Sequence, residues 1–414
     1  MWKYYSKNHL SIISVAFVIG VVVMAFTFGD SQELYAEIFP SEMVEFMYSN
    51  VLITYSLGGV SLASLANAIL LIQYIMQKWA FGIFIIMMVL ILTPDVISVV
   101  GVITLVPCVI FSIYGIFSLN KSNKEALAKE GMKSEKDIVD LYKENHNLLE
   151  EYQSMAFQCR KNAQKISAIY ALGLVAIIFV LLFMNNFLLI MLAILFFTYA
   201  FNYLARYKMS CFLPITSLLY EKCDPEACAS AIIYYSTNKR SFKLTNQTLF
   251  AQCLIYLDDA QTAKKALATY PLKDEASTLS YYSIMAYIYY ILKDEQNLIA
   301  CKEKASKVRL NMGAVGVNIQ SQDIAAIQNK IDLINGDFNT CRKYYLQAFQ
   351  RAQFPFQKVD AAYYIGLISF VEEDYVVAQT YLEKVVQTGN KMHFVNKAEH
   401  YLSKISEINI QEES

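Results

Sequence analysis

Long uncharged segments dominate the first half of the chain, and shorter amphipathic segments follow in the second half. Six segments without Asp, Glu, Lys, Arg or His cover residues 10–28, 51–76, 79–93, 96–119, 166–184 and 187–205. About 20 apolar helical residues cross the hydrocarbon core of a bilayer. The pattern therefore predicts six transmembrane helices, of which 79–93 is the shortest. The first segment is longer than the apolar part of a cleavable signal peptide, so we expect it to be retained.

The basic residues outside these segments predict the orientation in the membrane. Residues 29–50 hold five acidic residues and no basic one, whereas 120–165 holds nine basic residues. Further basic residues precede the first segment and follow the sixth. Because Lys and Arg concentrate in cytoplasmic loops, both termini are predicted to be cytoplasmic. The dipeptides Pro94-Asp95 and Asn185-Asn186 favour turns, so each joins two spans into a helical hairpin.

Within the predicted membrane region, polar and small residues suggest packing rather than transport. Ser56, Gly59, Ala63 and Asn67 recur every three or four residues on the second span, which favours close approach of another helix within the chain or in a second copy. Ion and proton pathways usually need ionisable residues inside the spans, and the six segments have none. The four histidines lie outside them, so an intramembrane Ser/His pair is not expected.

The linker at residues 120–165 carries a heptad-like pattern from Ser134 onward, with a polar position at Asn145. A continuous helix over 134–165 would be about 48 Å long and would enter the fifth span directly, as a stalk. Two arrangements are open. The apolar stripe docks on C-terminal helices of its own chain, or it pairs with a second copy in a coiled coil.

A helical repeat follows residue 206. In residues 359–392, small residues and Gly366 fall at the spacing of a 34-residue unit, and Gly336 and Phe338 mark an earlier unit. The candidate crossing positions are Cys228, Ala263, Leu298, Cys341 and Ala378, separated by 35, 35, 43 and 37 residues. Five helical hairpins and a capping helix at 393–408 are therefore predicted.

These units resemble the tetratricopeptide-repeat family. The resemblance implies an α-solenoid whose inner helices line a concave groove for a peptide or protein partner. Phe338 and Tyr345 would then occupy packing positions. The expected groove residues are Tyr287, Tyr290, Lys330, Tyr363 and Phe370.

The composition and the absence of known motifs argue against several classes of function. The 35 basic and 36 acidic residues balance, which gives no indication of nucleic-acid binding. The eight cysteines form no zinc-ligand spacing, and no glycine-rich phosphate loop or nucleophile with a base is recognisable. No cofactor, metal or enzymatic activity is therefore predicted. Heavy use of Lys, Asn, Ile and Tyr suggests a bacterial source.

The sequence as a whole predicts an all-α, polytopic membrane protein with a cytoplasmic repeat domain. Its expected parts are a four-helix membrane region at 1–119, the linker with the stalk at 120–165, a transmembrane hairpin at 166–206 and the repeats at 207–414. The expected function is a membrane-anchored scaffold or adaptor in the cell membrane that recruits a cytoplasmic protein or peptide. A peptide sensor and a non-catalytic component of a transport or secretion complex are the alternatives.

Overall fold

The structure, a computed structural model, describes residues 2–28, 40–78, 94–183, 187–237, 242–310 and 312–413. Within these ranges every regular element is helical, apart from an isolated bridge between Thr237 and Phe242. The chain divides into two compact units. Unit 1 comprises Met1–Glu125 and Pro271–Asp274, and unit 2 comprises Ala126–Tyr270 and Glu275–Ser414.

Unit 1 is built from long apolar helices, α1 (Trp2–Thr27), the short α2 (Ser41–Ser49), α3 (Val51–Lys78) and most of α4 (Pro94–Lys129). Three stretches are long and apolar enough to cross a membrane: Trp2–Thr27, Val51–Leu71 and Val99–Lys129. They cover most of the first, second and fourth predicted spans, which lie at 10–28, 51–76 and 96–119. The third predicted span, 79–93, lies outside the described residues.

The three long helices approach one another at small residues. A Cβ added to Gly20 of α1 would lie 2.4 Å from the Gly58 carbonyl oxygen of α3, and one on Gly101 of α4 would lie 2.3 Å from the Ser64 carbonyl oxygen. Both distances are far shorter than van der Waals contact, so these crossings require glycine.

Of the predicted small-residue stripe, Gly59, Ala63 and Asn67 are buried, and Gly59 packs against the Phe17 ring of α1. Ser56 does not belong to this interface, because it is exposed and its hydroxyl donates to Leu52 O of its own helix. His9, which precedes the first apolar segment, lies on the same helix as that segment, because α1 begins eight residues before it.

The helices of unit 2 follow in chain order. They are α5 (Asp137–Asn145), α6 (Gln153–Phe183), α7 (Phe187–Ser210), α8 (Leu213–Tyr220), α9 (Pro225–Ser236), α10 (Gln247–Tyr256), α11 (Ala260–Ala266), α12 (Glu275–Ile291), α13 (Glu295–Lys307), α14 (Gly313–Asn335), α15 (Phe338–Arg351), α16 (Pro355–Val371), α17 (Tyr375–Thr388) and α18 (Phe394–Glu413). The fifth and sixth predicted spans are helical in α6 and α7 as far as they are described. Met184 and the Asn185-Asn186 turn lie outside the described residues.

The continuous stalk predicted over 134–165 is wrong. The chain leaves helical geometry after Asn145, forms one 3-10 turn at Glu150–Tyr152, and only then begins α6. Side chains of α9 stabilise the break, because Asn147 N–H donates to Glu226 Oε1 and Leu149 N–H donates to Ser230 Oγ. The N–H groups of Asn147 and Leu149 therefore have hydrogen-bond acceptors although the chain is not helical here.

The linker docks on helices of its own chain, which favours that arrangement over the coiled coil. Tyr142 of α5 is fully buried, and its hydroxyl donates to Glu226 O across 3.3 Å. Asn145, the polar heptad position, donates to Asp259 Oδ2 across 3.1 Å. Glu135 accepts from the Leu244 N–H and from the Thr269 hydroxyl.

One hairpin turn recurs five times in unit 2. In each copy an aspartate begins the second helix and accepts a hydrogen bond from the backbone N–H three residues later, which caps the helix. The residue before it has positive φ, as helix ends often require. These aspartates are Asp224, Asp259, Asp294, Asp337 and Asp374. The residues with positive φ are Cys223, Asp258, Lys293, Gly336 and Glu373.

The residue four positions after each of these aspartates is one of the predicted crossing positions. All five, Cys228, Ala263, Leu298, Cys341 and Ala378, are completely buried. Consecutive helices pack in pairs, α8 with α9, α10 with α11, α12 with α13, α14 with α15 and α16 with α17, and α18 packs on α17. The resemblance to tetratricopeptide repeats itself stays a prediction.

Candidate functional site

The first helices of three pairs bring a buried lysine and several tyrosines together. Tyr287 and Tyr290 lie on α12, three residues apart and therefore on one face of the helix. Asp360 and Tyr364 share a face of α16 in the same way, four residues apart. Lys330 comes from α14, and Tyr345 from α15. We call Tyr287, Tyr290, Tyr345 and Tyr364 the tyrosine cluster.

Lys330 lies inside this cluster and is only 7% exposed. Its ammonium nitrogen is 3.8 Å from the ring centre of Tyr364, 4.0 Å from that of Tyr287 and 5.0 Å from that of Tyr290. The same nitrogen donates a hydrogen bond to the Tyr345 hydroxyl, at 2.9 Å. Aromatic faces attract a cation through their quadrupole, most strongly where water is excluded. Rings and one hydroxyl therefore replace much of the hydration that Lys330 loses.

The charge of Lys330 is offset by Asp360. Burial lowers the pKa of Lys330 to about 8, while the negative charge of Asp360 acts in the opposite direction. Burial likewise raises the pKa of Asp360, and Lys330 and a hydrogen bond from Tyr287 limit that rise. Tyr287 connects the two groups, because its ring contacts the ammonium and its hydroxyl donates to Asp360 Oδ1 at 2.7 Å.

A cavity of about 580 Å³ adjoins this cluster and is lined by Lys330 and Asp360. Asp323 and Arg351 add one charge of each sign to its wall. Burial raises the pKa of Asp323 to about 6. Carboxamides and aromatic rings complete the lining, among them Gln252, Gln322, Gln347, Gln357, Tyr256, Tyr344 and Phe356.

A second cavity, of about 470 Å³, is lined by Tyr287, Tyr290, Tyr363 and Tyr364, so Tyr287 contributes to both. His393 stands at its edge. Burial and the nearby charge of Lys397 lower the pKa of His393 to about 4, so its imidazole is neutral near pH 7. The tyrosine cluster therefore borders both cavities, because Tyr290 and Tyr364 line the smaller one, Tyr345 lines the larger one and Tyr287 lines both.

Contacts join the first two pairs to the last pair and to the segment that follows it. His393 N–H donates to Tyr256 O at 2.9 Å, and the Asn390 amide donates to Lys222 O at 2.8 Å. The ammonium of Lys391 lies 3.7 Å from Asp224 Oδ2 and 3.5 Å from Glu226 Oε2. The rings of Tyr220 on α8 and Phe356 on α16 stack at 4.8 Å. The two cavities, which share Tyr287, lie in the region that these contacts border.

The predicted groove residues fall into three places. Tyr287, Tyr290 and Lys330 meet in one cluster. Tyr363 lines only the smaller cavity and stacks on the Phe394 ring at 4.3 Å. Phe370 lies apart, against Tyr375 and Tyr401, with ring centres at 5.8 Å and 4.9 Å.

Sequence reasoning missed Asp360, Tyr364 and Asp323, and it assigned Tyr345 to packing alone. Asp360 and Tyr364 carried a usable signal, because an aspartate four residues before a tyrosine on a helix places both on one face. Tyr345 is 2% exposed and does pack, yet its hydroxyl also binds Lys330.

Among the described residues no group of three His, Cys, Asp or Glu side chains is arranged to hold a metal ion. Comparison with family models, with curated proteins and with solved structures finds no match.

Proposed function

We propose that this protein is a membrane-anchored adaptor whose repeat region recruits a protein or peptide partner to the membrane. The observation that carries the proposal is the cavity of about 580 Å³ beside Lys330. Its wall buries Lys330 and partly buries Asp323 and Asp360, which costs stability and is typical of binding sites. The three candidate membrane helices of unit 1 supply the anchor.

The proposal includes the finer features expected from the sequence. The chain crosses a bacterial cell membrane six times, with α6 and α7 as the last two spans, and both termini are cytoplasmic. The five helix pairs act as a tetratricopeptide-type region. In this proposal the protein binds its partner at the membrane and needs no catalytic residue.

The chemistry of the cavity favours a short peptide segment. A glutamine side chain offers one acceptor and one amide donor group, and so matches a peptide bond. Four glutamines line the wall, and Asp323 and Arg351 can pair with charged ends or side chains. The volume suits a few residues rather than a long extended chain.

A peptide sensor is the second candidate, and one observation favours it. α6 is a continuous helix that contacts α9 at its beginning and contains the fifth apolar segment at its end. A change in the packing of α9 would therefore reach the apolar part of α6 through a rigid element.

Site-specific photocrosslinking of the full-length protein in native membranes tests the proposal. A benzophenone amino acid at Gln347, which lines the cavity, is compared with one at Lys343 on the same helix, which does not. Both positions are exposed. We expect a crosslinked partner from position 347, with loss of the adduct when Asp323→Asn and Arg351→Ala are added.

The size of the adduct distinguishes the two candidates, since a protein-sized adduct supports the adaptor and a peptide-sized one supports the sensor. Equal crosslinking at positions 347 and 343, or an adduct that survives the two cavity substitutions, would contradict binding in this cavity. Lys384→Ala serves as a distant control and should leave the yield unchanged.

A further inference from the structure

His9 of α1 lies between two other helices of unit 1 and is 4% exposed. Its Nε2 atom is 3.1 Å from Asn67 Oδ1 of α3, and its Nδ1 atom is 2.9 Å from Ser112 Oγ of α4. Asn67 and Ser112 are completely buried. An ionisable side chain inside helices of this length and hydropathy points to a function, because it is costly to keep there.

The neighbouring groups fix the direction of every hydrogen bond in this network. The Thr104 hydroxyl donates to Val100 O at 2.6 Å, so its oxygen accepts from the Asn67 amide nitrogen at 2.9 Å. The same nitrogen donates to Gly101 O at 3.3 Å. Asn67 therefore turns its carbonyl oxygen toward the ring.

Since a carbonyl oxygen only accepts, Nε2 of His9 carries the hydrogen. In the neutral ring Nδ1 is then an acceptor, and the Ser112 hydroxyl donates to it. The chain of donors runs from Ser112 through His9, Asn67 and Thr104 to Val100 O.

This arrangement places a serine, a base and a group that orients the base as hydrolases do. Ser112 cannot act as a nucleophile, because a substrate has no access to it. Ser112 has no exposed surface, and one turn further along α4 a Cβ on Gly115 would lie 2.2 Å from Ser6 Oγ of α1. No acyl group can reach the Ser112 oxygen between helices packed this closely.

The network can instead hold an extra proton without moving a helix. When Nδ1 is protonated it donates to Ser112 Oγ, and the Ser112 hydroxyl rotates toward the carbonyl of Cys108 four residues earlier, as helical serines commonly do. Both ring nitrogens then donate to oxygen atoms. A cavity of about 240 Å³, lined by His9 with Trp2, Tyr5, Asn8, Ile12, Leu70 and Tyr74, gives a water molecule a route to the ring.

We propose that His9 is a proton-binding site of the membrane unit, loaded from this cavity and stabilised by Ser112. The titratable groups nearest the ring are Tyr5 on α1 and Tyr74 on α3, which line the same cavity, and Cys108, one turn before Ser112 on α4; Lys3 and Lys7 are the charged residues of the same part of α1. None of these groups is a carboxylate. The imidazolium is therefore stabilised by hydrogen bonds and by the Trp2 ring, whose centre lies 5.0 Å from that of His9.

Nitrogen-15 NMR of the full-length protein in bilayers, labelled at histidine, tests the proposal. His9→Gln identifies the His9 signals against those of the other three histidines. At about pH 8 we expect the neutral tautomer with hydrogen on Nε2, and at about pH 5 an imidazolium. Ser112→Ala removes the acceptor of the added proton and should lower the midpoint of the His9 titration by about one pH unit.

Ser56→Ala is the matched control, because Ser56 is exposed and bonds only within its own helix in the described contacts. It should leave the His9 midpoint unchanged. A neutral His9 signal throughout this pH range overturns the proposal, as does hydrogen on Nδ1 in the neutral ring. A midpoint unaffected by Ser112→Ala overturns the role of Ser112.

Discussion

The Lys330 cluster and the His9 network both bury an ionisable side chain among helices, and they do so in different ways. Lys330 is surrounded by ring faces and shares its environment with a carboxylate, Asp360. The neutral His9 ring is surrounded by a directed chain of hydrogen bonds with no carboxylate in it. The first arrangement offsets the lysine charge with an opposite charge, and the second holds a neutral ring by hydrogen bonds alone.

The difference follows from what each region has available. Unit 2 places an aspartate and four tyrosines around the lysine, so a charge can be offset by an opposite charge and by quadrupoles. Unit 1 consists largely of apolar helices, in which small polar side chains bridge one helix to the next. We therefore expect substitutions at Lys330 to act mainly through electrostatics and substitutions at His9 mainly through single hydrogen bonds.

Lys330→Met should have the largest effect. It keeps the length of the side chain but leaves Asp360 without its compensating charge, and we expect unit 2 to lose about 3 kcal/mol of stability near pH 7.5. The measurement is the rate of alkylation of the buried Cys341 in full-length protein, followed by mass spectrometry at increasing denaturant.

The double variant Lys330→Met with Asp360→Asn should recover at least half of that loss, since it removes both charges. If the double variant is no more stable than Lys330→Met alone, the charge pair is not what holds the cluster together. Alkylation of Cys108 in unit 1 serves as the internal control and should not change.

Tyr345→Phe isolates the single hydrogen bond to the ammonium. The ring stack of Tyr345 on Tyr364, at 4.7 Å, can persist, while the 2.9 Å bond to Lys330 is lost. Hydrogen bonds to charged groups contribute more to stability than neutral ones, so we expect unit 2 to lose about 2 kcal/mol of stability. The loss is measured by the alkylation of Cys341. Tyr290→Phe is the comparison, because it keeps the hydrogen bond between Tyr345 and Lys330. If Tyr345→Phe destabilises unit 2 less than Tyr290→Phe does, that hydrogen bond does not contribute as assigned.

Asp323→Asn should stabilise the protein. The pKa of Asp323 is about 6 in the folded protein and 3.8 in the reference state, so folding favours the protonated form. Its contribution to stability is therefore present below about pH 4 and is lost as the pH rises through about 6. Allowing for its partial exposure, we expect a gain of about 1 kcal/mol at pH 7.5.

The gain from Asp323→Asn should disappear below about pH 4, where the carboxyl is neutral in both states. Unfolding of the variant and of the wild type, measured at both pH values, checks this. A gain that does not depend on pH would show that the charge of Asp323 is not its origin.

Ser112→Ala should have the smallest effect. It removes one neutral hydrogen bond between membrane helices, and such bonds contribute about 0.6 kcal/mol on average. Alkylation of Cys108 reports the opening of unit 1, and the loss should be well below that of Tyr345→Phe in unit 2. A larger loss for Ser112→Ala would reverse the distinction between the two regions.

Local patterns in the sequence were sufficient for much of the fold. Apolar length placed the helices of unit 1, and the spacing of small residues located all five buried crossing positions in unit 2. Both signals depend on neighbours within one turn or one hairpin, which periodicity records directly. The stalk prediction failed because Glu226 and Ser230, about 80 residues away, bond to the backbone at the break.

The candidate site was only partly predictable for a similar reason. Tyr287, Tyr290 and Lys330 followed from their positions on inner helices. Asp360 and Tyr345 join them only because α15 and α16 pack against α14 and α12 in three dimensions. Phe370 shows the limit of that reasoning, since it shares α16 with Asp360 yet lies outside the cluster.

By itself the sequence predicted a helical protein with six membrane spans and a repeated hairpin in its second half, and three described stretches have the length and hydropathy of such spans. These properties depend on helix periodicity and local capping, which neighbouring residues decide. Only the tertiary structure decided that Lys330 is a buried cation beside a cavity and that His9 bonds to Asn67 and Ser112. Burial and hydrogen bonding between helices depend on residues that are far apart in the chain. A pattern of neighbouring residues does not predict which of these distant residues come into contact.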